Sequence, residues 1–255
     1  MGRLLAAFAL GVALLLAAAP QALAGEIFDD TLASGELVVG TSPDYPPLRF
    51  CSPDGAIKGA EIDLAQRIAA AMGVNLRVVD WPFSELLPAL EAGEFHMVIS
   101  ALTMTPGRNT RVAFVGPYPI SGQNILGHEE RVAGVRSFAD MNRPDCSIVV
   151  ALGTTRETAA NQILPRAEII VAQSPDVALH MLRSSEVDAL MADQPYVPVA
   201  EHRHKSEGLA KGDRPFTFEP LGIAVSPDDS LLINWLQDFL LAFEGSGQLD
   251  APFEG

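Results

Sequence analysis

The sequence predicts an α/β protein of two similar lobes, each built on a mostly parallel sheet flanked by helices, with a ligand cleft between the lobes. Strand and helix patterns alternate in the order β-α-β-α-β over 36–99, and a similar order restarts at 147. Two further segments, 119–126 and 216–225, leave the first unit and follow the second, as crossings between lobes would. Such alternation is typical of parallel sheets covered by helices.

The first unit contains three short apolar runs separated by two amphipathic patterns. The predicted strands are 36–40, 76–79 and 97–99. The first helix begins near Ile62 and ends at Gly73, since glycine commonly follows the last helical residue. The second helix is predicted from residues at helical spacing, namely Phe83, Leu86, Leu87 and Leu90.

The second unit repeats this plan. Its predicted strands are 147–150, 168–171 and 187–191. A helix opens at Gly153-Thr154-Thr155, and another starts at Pro175, because proline fits the first helical turn. We expect one more helix to run toward residue 202.

The C-terminal part carries an apolar helical stripe that is too extensive to remain exposed. Its members are Leu232, Trp235, Leu236, Phe239, Leu240 and Phe243. We expect this helix to pack on the first lobe, which then takes two separate chain segments. The predicted first lobe comprises 25–119 and 222–255, and the predicted second lobe comprises 120–221.

The N-terminus has the three parts of a secretory signal peptide. Arg3 gives a basic start, an apolar run extends from Leu4 to Ala19, and Ala22-Leu23-Ala24 is an A-x-A cleavage site. The run is shorter than the roughly 20 apolar residues that a membrane span needs. We expect 1–24 to be removed after Ala24 and the protein to be exported to the periplasm.

Charge, histidine and cysteine content argue against several functions. A formal net charge of −15 disfavours nucleic acid, whose phosphates would repel the chain. No cysteine or histidine spacing is typical of a metal site, and no cofactor is expected. Export permits a disulfide, but Cys51 and Cys146 fall in different predicted lobes, and a bridge would restrain their movement. Two free thiols are favoured, and a bridge stays open.

Polar residues follow the predicted strands, where ligands bind in open α/β sheets. Arg108 ends the polar loop 100–108, which also contains Thr103. A guanidinium suits two-point capture of a carboxylate, although an exposed surface arginine would look the same. Thr155 lies at a helix start whose free N–H groups attract anions, although an ordinary threonine cap also fits.

Three more residues complete the candidate site. Asp193 lies just past a strand and is suited to a ligand ammonium, or to capping a helix. Tyr45 and Phe83 follow strands of the first lobe and are placed to enclose an apolar or planar group, although Phe83 also fits core packing. One positive group, one helix N-terminus and one carboxylate are what an α-amino acid zwitterion requires.

Seven segments match, in order, the pattern of a known family. They are YPPLRF (45–50), GAEIDLAQRIAAAMG (59–73), ELLPALEAGEF (85–95), SALTMTPGRNTRVAFVGPY (100–118), ALGTTRET (151–158), VDALMADQP (187–195) and FEPLGIAV (218–225). The chain thereby resembles the family-3 bacterial extracellular solute-binding proteins, the polar amino-acid-binding proteins of ABC importers. The resemblance implies a type II periplasmic-binding-protein fold, hinge closure, a monomer without enzymatic activity, and a membrane permease as partner.

The resemblance also implies roles for single residues. Arg108 and Thr103 would bind the ligand α-carboxylate, aided by the backbone at Thr155. Asp193 would bind the ammonium together with the carbonyl of Ala101.

The resemblance places Tyr45 and Phe83 in the side-chain pocket. Ser42 stands where several members carry an aspartate that helps to hold the amine or a cationic side chain. This departure favours a ligand with a neutral or weakly polar side chain.

Two other functions stay open on the same scaffold. The family also resembles periplasmic cyclohexadienyl dehydratase, which acts on prephenate or arogenate and needs a general acid; Glu219 is a candidate by position. Glu-Pro-Leu-Gly is also ordinary in transport members, which favours a place at the lobe crossing. A third possibility is a separate soluble sensor for a membrane kinase.

Overall fold

The computed structural model describes residues 25–246. The signal peptide predicted over 1–24 and the end of the chain, 247–255, lie outside this range. Within it, no helix is both long and apolar enough to cross a membrane. The same residues contain no group of three or more histidine, cysteine or acidic side chains that could hold a metal ion.

Strands and helices alternate along most of the described chain. The strands are, in order, β1 (Glu36–Thr41), β2 (Asp44–Tyr45), β3 (Arg49–Cys51), β4 (Ile57–Lys58), β5 (Asn75–Asp80), β6 (Met97–Val98), β7 (Ala113–Val115), β8 (Ile120–Ser121), β9 (Gln123–His128), β10 (Ser147–Ala151), β11 (Glu168–Ala172), β12 (Ala189–Asp193), β13 (Leu209–Lys211), β14 (Glu219–Pro220) and β15 (Ile223–Val225). The helices are α1 (Glu26–Ser34), α2 (Ala60–Met72), α3 (Leu86–Glu91), α4 (Glu129–Val132), α5 (Thr155–Ile163), α6 (Pro175–Arg183), α7 (Tyr196–His204) and α8 (Ser230–Gly245).

The first lobe is built on a sheet with the strand order β5-β1-β6-β15-β7. Strand β1 pairs in parallel with β5 and β6, and β15 pairs antiparallel with β6 and β7. Four strands therefore run in one direction and β15 runs against them. This confirms the mostly parallel sheet, and it brings the carboxyl ends of β1, β5 and β6 to one edge.

The second lobe repeats this plan in the order β11-β10-β12-β9-β13. Strand β10 pairs in parallel with β11 and β12, whereas β9 pairs antiparallel with β12 and β13. The opposing strand is therefore β9. In each lobe the opposing strand comes directly after the chain has passed between the lobes.

The two passages between the lobes lie side by side. Strands β8 and β14 pair antiparallel, with Ser121 opposite Glu219 and Ile120 opposite Pro220. Both strands fall inside the segments expected to connect the lobes, 119–126 and 216–225. Their pairing brings Glu219, which is 8% exposed, to the base of the cleft.

The C-terminal helix α8 packs against α1 and β7 of the first lobe. The residues of its stripe divide by depth: Leu232, Leu236, Leu240 and Phe243 are buried, while Trp235 and Phe239 are partly buried and stack on each other. Apolar burial of this kind contributes about 25 cal/mol for each Å² removed from water.

The structure departs from the sequence predictions in local detail. The helix expected from Phe83 begins instead as a 3-10 turn, Phe83–Glu85, before α3. Pro82 precedes the turn and Pro88 lies inside α3, so this segment is short of backbone N–H donors. The cysteines are free: Cys51 is exposed on β3, and Cys146 is buried in the core of the second lobe.

Candidate functional site

The candidate site lies between the lobes, at the carboxyl ends of strands from both sheets. The end of β1 leads into Ser42 and Tyr45, the end of β10 leads into Gly153 and the start of α5, and β12 ends at Asp193. Parallel pairing of β10 with β12 sets the second-lobe ends next to each other. The fold therefore gathers loops that are far apart in sequence.

Tyr45 connects the two lobes directly. Its hydroxyl donates to Oδ2 of Asp193 at 2.9 Å and accepts from the backbone N–H of Asp193 at 2.8 Å. Its ring stacks on Tyr196 of α7, with centroids 4.5 Å apart and planes 11° apart. Burial, and then the charge of Asp193, raise the pKa of the Tyr45 hydroxyl well above its usual value, so it remains a donor at neutral pH.

Arg156 forms a buried ion pair with Asp193. Its Nη1 donates to Oδ1 of Asp193 at 2.7 Å, and both side chains are at most 6% exposed. Burial alone would lower the pKa of the guanidinium, but the Asp193 carboxylate raises it overall. The Nε of Arg156 is buried without a hydrogen-bond partner among the described residues.

Arg108 reaches from the first lobe to the second. Its Nη1 donates to the carbonyl of Thr103 at 2.9 Å, and its Nη2 donates to the carbonyl of Gly153 at 3.0 Å. Burial, and then the positive charge of Arg156, lower the pKa of Arg108 to about 10. The guanidinium therefore keeps its charge at neutral pH. Thr103 also bridges to Leu221, which ties the loop to the lobe crossing.

The start of α5 faces the same region. The hydroxyl of Thr154 caps the helix by accepting from the backbone N–H of Glu157 at 3.4 Å. The hydroxyl of Thr155 accepts from Nε2 of Gln123, on β9, at 3.3 Å. Oε1 of Gln123 and the hydroxyl of Ser121 are buried without partners in residues 25–246. Polar atoms therefore concentrate on this side of the cleft.

Ala101 has an unusual backbone conformation that is stabilised by hydrogen bonds to neighbouring side chains. Its φ of 47° lies in the left-handed region, which non-glycine residues seldom adopt. Its N–H donates to Oε1 of Glu61 at 2.7 Å, and Glu61 in turn pairs with Arg49 at 2.8 Å in the buried interior. Tyr118 also donates to Glu61. This network fixes the loop that carries Thr103.

Ser42 and Phe83 line a crevice of about 460 Å³ beside these polar groups. Ser42 is buried, and its hydroxyl donates to Oδ1 of Asp44 at 2.9 Å. Phe83 is partly buried against the first-lobe core. Arg49 donates from Nε to the carbonyl of Ser42, whereas within the described part of the chain neither Ser42 nor Phe83 forms a hydrogen bond with Arg108 or Arg156.

A comparison of the chain with known sequence families identifies its family. The pattern of the bacterial extracellular solute-binding proteins, family 3, matches residues 37–254. The chain belongs to this family. The family assignment and the two-lobed α/β fold were both predicted from the sequence, and both predictions are confirmed.

Relatives of this family 3 protein include binding proteins and an enzyme. The "Probable histidine-binding protein" of Campylobacter jejuni is 32% identical over 62% of this chain and 60% of that protein. Cyclohexadienyl dehydratase of Pseudomonas aeruginosa is 25% identical, with 95% of this chain and 90% of the enzyme covered. A crystal structure of an ancestral amino acid-binding protein, described as a precursor of cyclohexadienyl dehydratase, has 35% identity, a TM-score of 0.81 and coverage of 89% and 97%.

Sequence reasoning missed parts of the cleft of this solute-binding protein. Arg156, Tyr196 and Gln123 were not predicted as site residues. Arg156 directly follows the predicted Thr155, so its place at a helix start beside a strand end was the available signal. Its partner Asp193 is 37 residues away, so the local sequence pattern does not predict that contact.

Proposed function

We propose that this protein captures an α-amino acid between its lobes and delivers it to the membrane permease of an ABC importer. The main support is that one interlobe cleft gathers Arg108, Asp193 and the stacked pair Tyr45 and Tyr196. A zwitterion needs a cation for its carboxylate and an acceptor for its ammonium, and aromatic faces suit its side chain. Family membership and the names of the relatives agree with this function.

Each end of the ligand has candidate partners. Arg108, Thr103 and the backbone at Thr155 are the proposed carboxylate group, because a guanidinium forms charge-assisted bonds of fixed geometry. Asp193 and the carbonyl of Ala101 are the proposed ammonium group. Asp193 already accepts from two residues, but a carboxylate has about four lone-pair sites and can accept a further N–H.

The proposed side-chain pocket consists of Tyr45, Phe83 and Ser42. Tyr45 supplies a buried ring, whereas Phe83 and Ser42 line the adjoining crevice. In this proposal the α-carbon of the ligand lies among the polar groups and its side chain extends into the adjoining crevice.

Capture is proposed to proceed by closure of the lobes, a motion for which periplasmic binding proteins are a known example. The proposed lobes are 25–119 with 222–255, and 120–221, which turn about the paired strands β8 and β14. Contacts from Arg108 to Gly153 and from Tyr45 to Asp193 pass from one lobe to the other and would tie the closed state.

The proposed setting is the periplasm, reached after cleavage of 1–24, with the mature protein acting as a monomer. N-terminal sequencing of the exported protein is expected to begin at Gly25. A protein that retained Met1 would contradict this part of the proposal.

A ligand panel tests the binding function. The purified mature protein is screened by thermal shift against the common amino acids, and hits are measured by calorimetry. A ligand at 100 times its Kd adds about 2.7 kcal/mol of apparent stability. We expect the best amino acid to bind at least tenfold tighter than its decarboxylated amine, because the amine has no carboxylate for Arg108. No shift with any amino acid would overturn the proposal.

A second candidate is a dehydratase related to the Pseudomonas enzyme. The observation that favours it is Glu219, a buried carboxylate at the base of the cleft whose charge acts on both Arg108 and Arg156. This function predicts turnover of prephenate or arogenate that Glu219→Gln abolishes. Absence of turnover in the wild-type protein, with amino-acid binding intact, decides for the binding protein.

A further inference from the structure

An acidic crevice opens between the lobes at the mouth of the candidate site. Its first-lobe wall contains Asp44, Asp80 and Trp81, and its second-lobe wall contains Gln173 and Ser174. The remaining lining residues are Ser42, Pro43, Pro82 and Phe83. Ser174 caps α6, whose first turn carries Asp176. Among these described lining residues the charged side chains are both carboxylates, so the lining of the crevice is negative.

The carboxylate of Asp44 acts on Asp80 in its own lobe and on Asp176 in the other lobe. Partial burial, and then the charge of Asp44, raise the pKa of Asp80 on the first lobe and of Asp176 on the second. The negative charge of Asp44 therefore acts on one carboxylate of each lobe. A positive charge placed between them would be attracted by all three.

The buried hydroxyl of Tyr196 is a second, independent observation near the acidic crevice. Tyr196 is 2% exposed, and its hydroxyl has no hydrogen-bond partner within residues 25–246. After burial, the charges of Asp176 and Asp44 are the largest causes that raise its pKa, while Arg203 on the same helix opposes them. The Tyr196 ring stacks on Tyr45, the neighbour of Asp44, so this unpaired hydroxyl lies near the acidic crevice and its oxygen can accept from a ligand N–H.

Ser42 supplies a further reason to place a cation here. The aspartate that several family members carry at this position is absent, but the Ser42 hydroxyl donates to Asp44 at 2.9 Å and so orients a carboxylate two residues on. A carboxylate is therefore present at position 44 instead of position 42. This arrangement favours a cationic ligand over the neutral ligand expected from Ser42 alone.

We infer that the acidic crevice binds the cationic end of a basic amino acid, a guanidinium or an ammonium, while the polar groups around Arg108 hold its α-carbon end. This inference rests on the proposed amino-acid binding function. Asp44, Asp80 and Asp176 supply the charge, and the faces of Trp81 and Phe83 supply the aromatic surfaces on which such cations pack.

Matched ligands separate the crevice from the rest of the site. L-Arginine and L-citrulline share one shape, but citrulline carries a neutral urea group in place of the guanidinium. Agmatine keeps the guanidinium and has no carboxylate. Calorimetry with the mature protein is expected to give arginine at least tenfold tighter binding than citrulline.

Variants then assign the preference to particular carboxylates. Asp44→Asn and Asp176→Asn, made separately, are each expected to lower the ratio of citrulline Kd to arginine Kd roughly tenfold, as removal of one charge at short range predicts. Asp238→Asn, an exposed change on α8 that alters net charge equally, is expected to leave the ratio unchanged. Circular dichroism checks folding, and either aspartate variant suffices if the other fails to fold.

The outcomes are distinct. A high ratio that falls in the aspartate variants and not in Asp238→Asn supports the inference. Citrulline bound as tightly as arginine, or an unchanged ratio in folded Asp44→Asn and Asp176→Asn, overturns the crevice and leaves amino-acid binding intact. Failure of every amino acid to bind overturns the proposed function itself. If agmatine bound as tightly as arginine, only the proposed binding of the ligand carboxylate by Arg108 would be contradicted.

Discussion

Ala101 and the residues behind it show how single side chains hold the site. A non-glycine residue in the left-handed region costs about 1–3 kcal/mol, which the surrounding structure must offset. Here the N–H of Ala101 is held by Glu61, and Glu61 pairs with Arg49, both side chains being at most 2% exposed. The ion pair therefore supports a strained loop next to the proposed ammonium site.

Removing the charge of Glu61 is expected to destabilise the protein strongly. Glu61→Gln leaves Arg49 buried without its counter-charge, and breaking a buried pair in this way typically costs about 3–5 kcal/mol. Urea unfolding at neutral pH measures the loss. The matched control is Glu36→Gln, whose pair with Arg77 is about half exposed and should cost less than about 1 kcal/mol. Equal, small losses in the two variants would contradict the supporting role of Glu61.

The two lobes contact each other where α5 begins and where the 3-10 turn Phe83–Glu85 lies. Gly153 has a φ of 75°, and a Cβ there would lie 2.7 Å from the Cα of Ser84. Its carbonyl also accepts from Arg108. Only a residue without a side chain allows the two elements to approach this closely.

Gly153→Ala is therefore expected to weaken ligand binding by at least tenfold, because the added methyl group holds the lobes apart. Gly134→Ala is the matched control: its φ of 79° imposes the same backbone strain, but a Cβ there meets nothing within 4 Å. Calorimetry with the best amino acid of the panel compares the two. Equal affinities in the two variants would show that this contact is irrelevant to binding.

How much the sequence could predict also depends on the element. Strands β1, β10 and β12 were predictable because each is an apolar run buried on both faces and followed by polar residues. The small sheet β2-β3-β4 was missed, since its strands have two or three residues and lie in a proline-rich stretch without alternation.

Contacts across the cleft were beyond sequence reasoning for a different reason. Tyr45 and Asp193 were each predicted for the site, but their bond joins residues 148 apart. Arg156 was missed as a site residue because its role depends on the same folded cleft. The local sequence pattern predicts which side chains lie at strand ends, whereas tertiary packing determines which of them are in contact.

The whole molecule consists of two similar lobes whose strand ends converge on one cleft. Arg108 from the first lobe and Asp193 from the second provide opposite charges, and Tyr45 joins the lobes. A ligand held this way is enclosed, so its charged groups are removed from water. Loss of one member of a buried charge pair then costs about 2–5 kcal/mol.

The decisive measurement is the affinity of Arg108→Ala for the best amino acid of the panel. We predict a loss of roughly 30- to several-thousand-fold, since each 1.4 kcal/mol is tenfold. Arg111→Ala, which removes an exposed arginine paired with Glu91 near the same loop, should change the affinity less than threefold. If correctly folded Arg108→Ala bound that amino acid within threefold of the wild-type Kd, the cleft around Arg108 would not be the binding site.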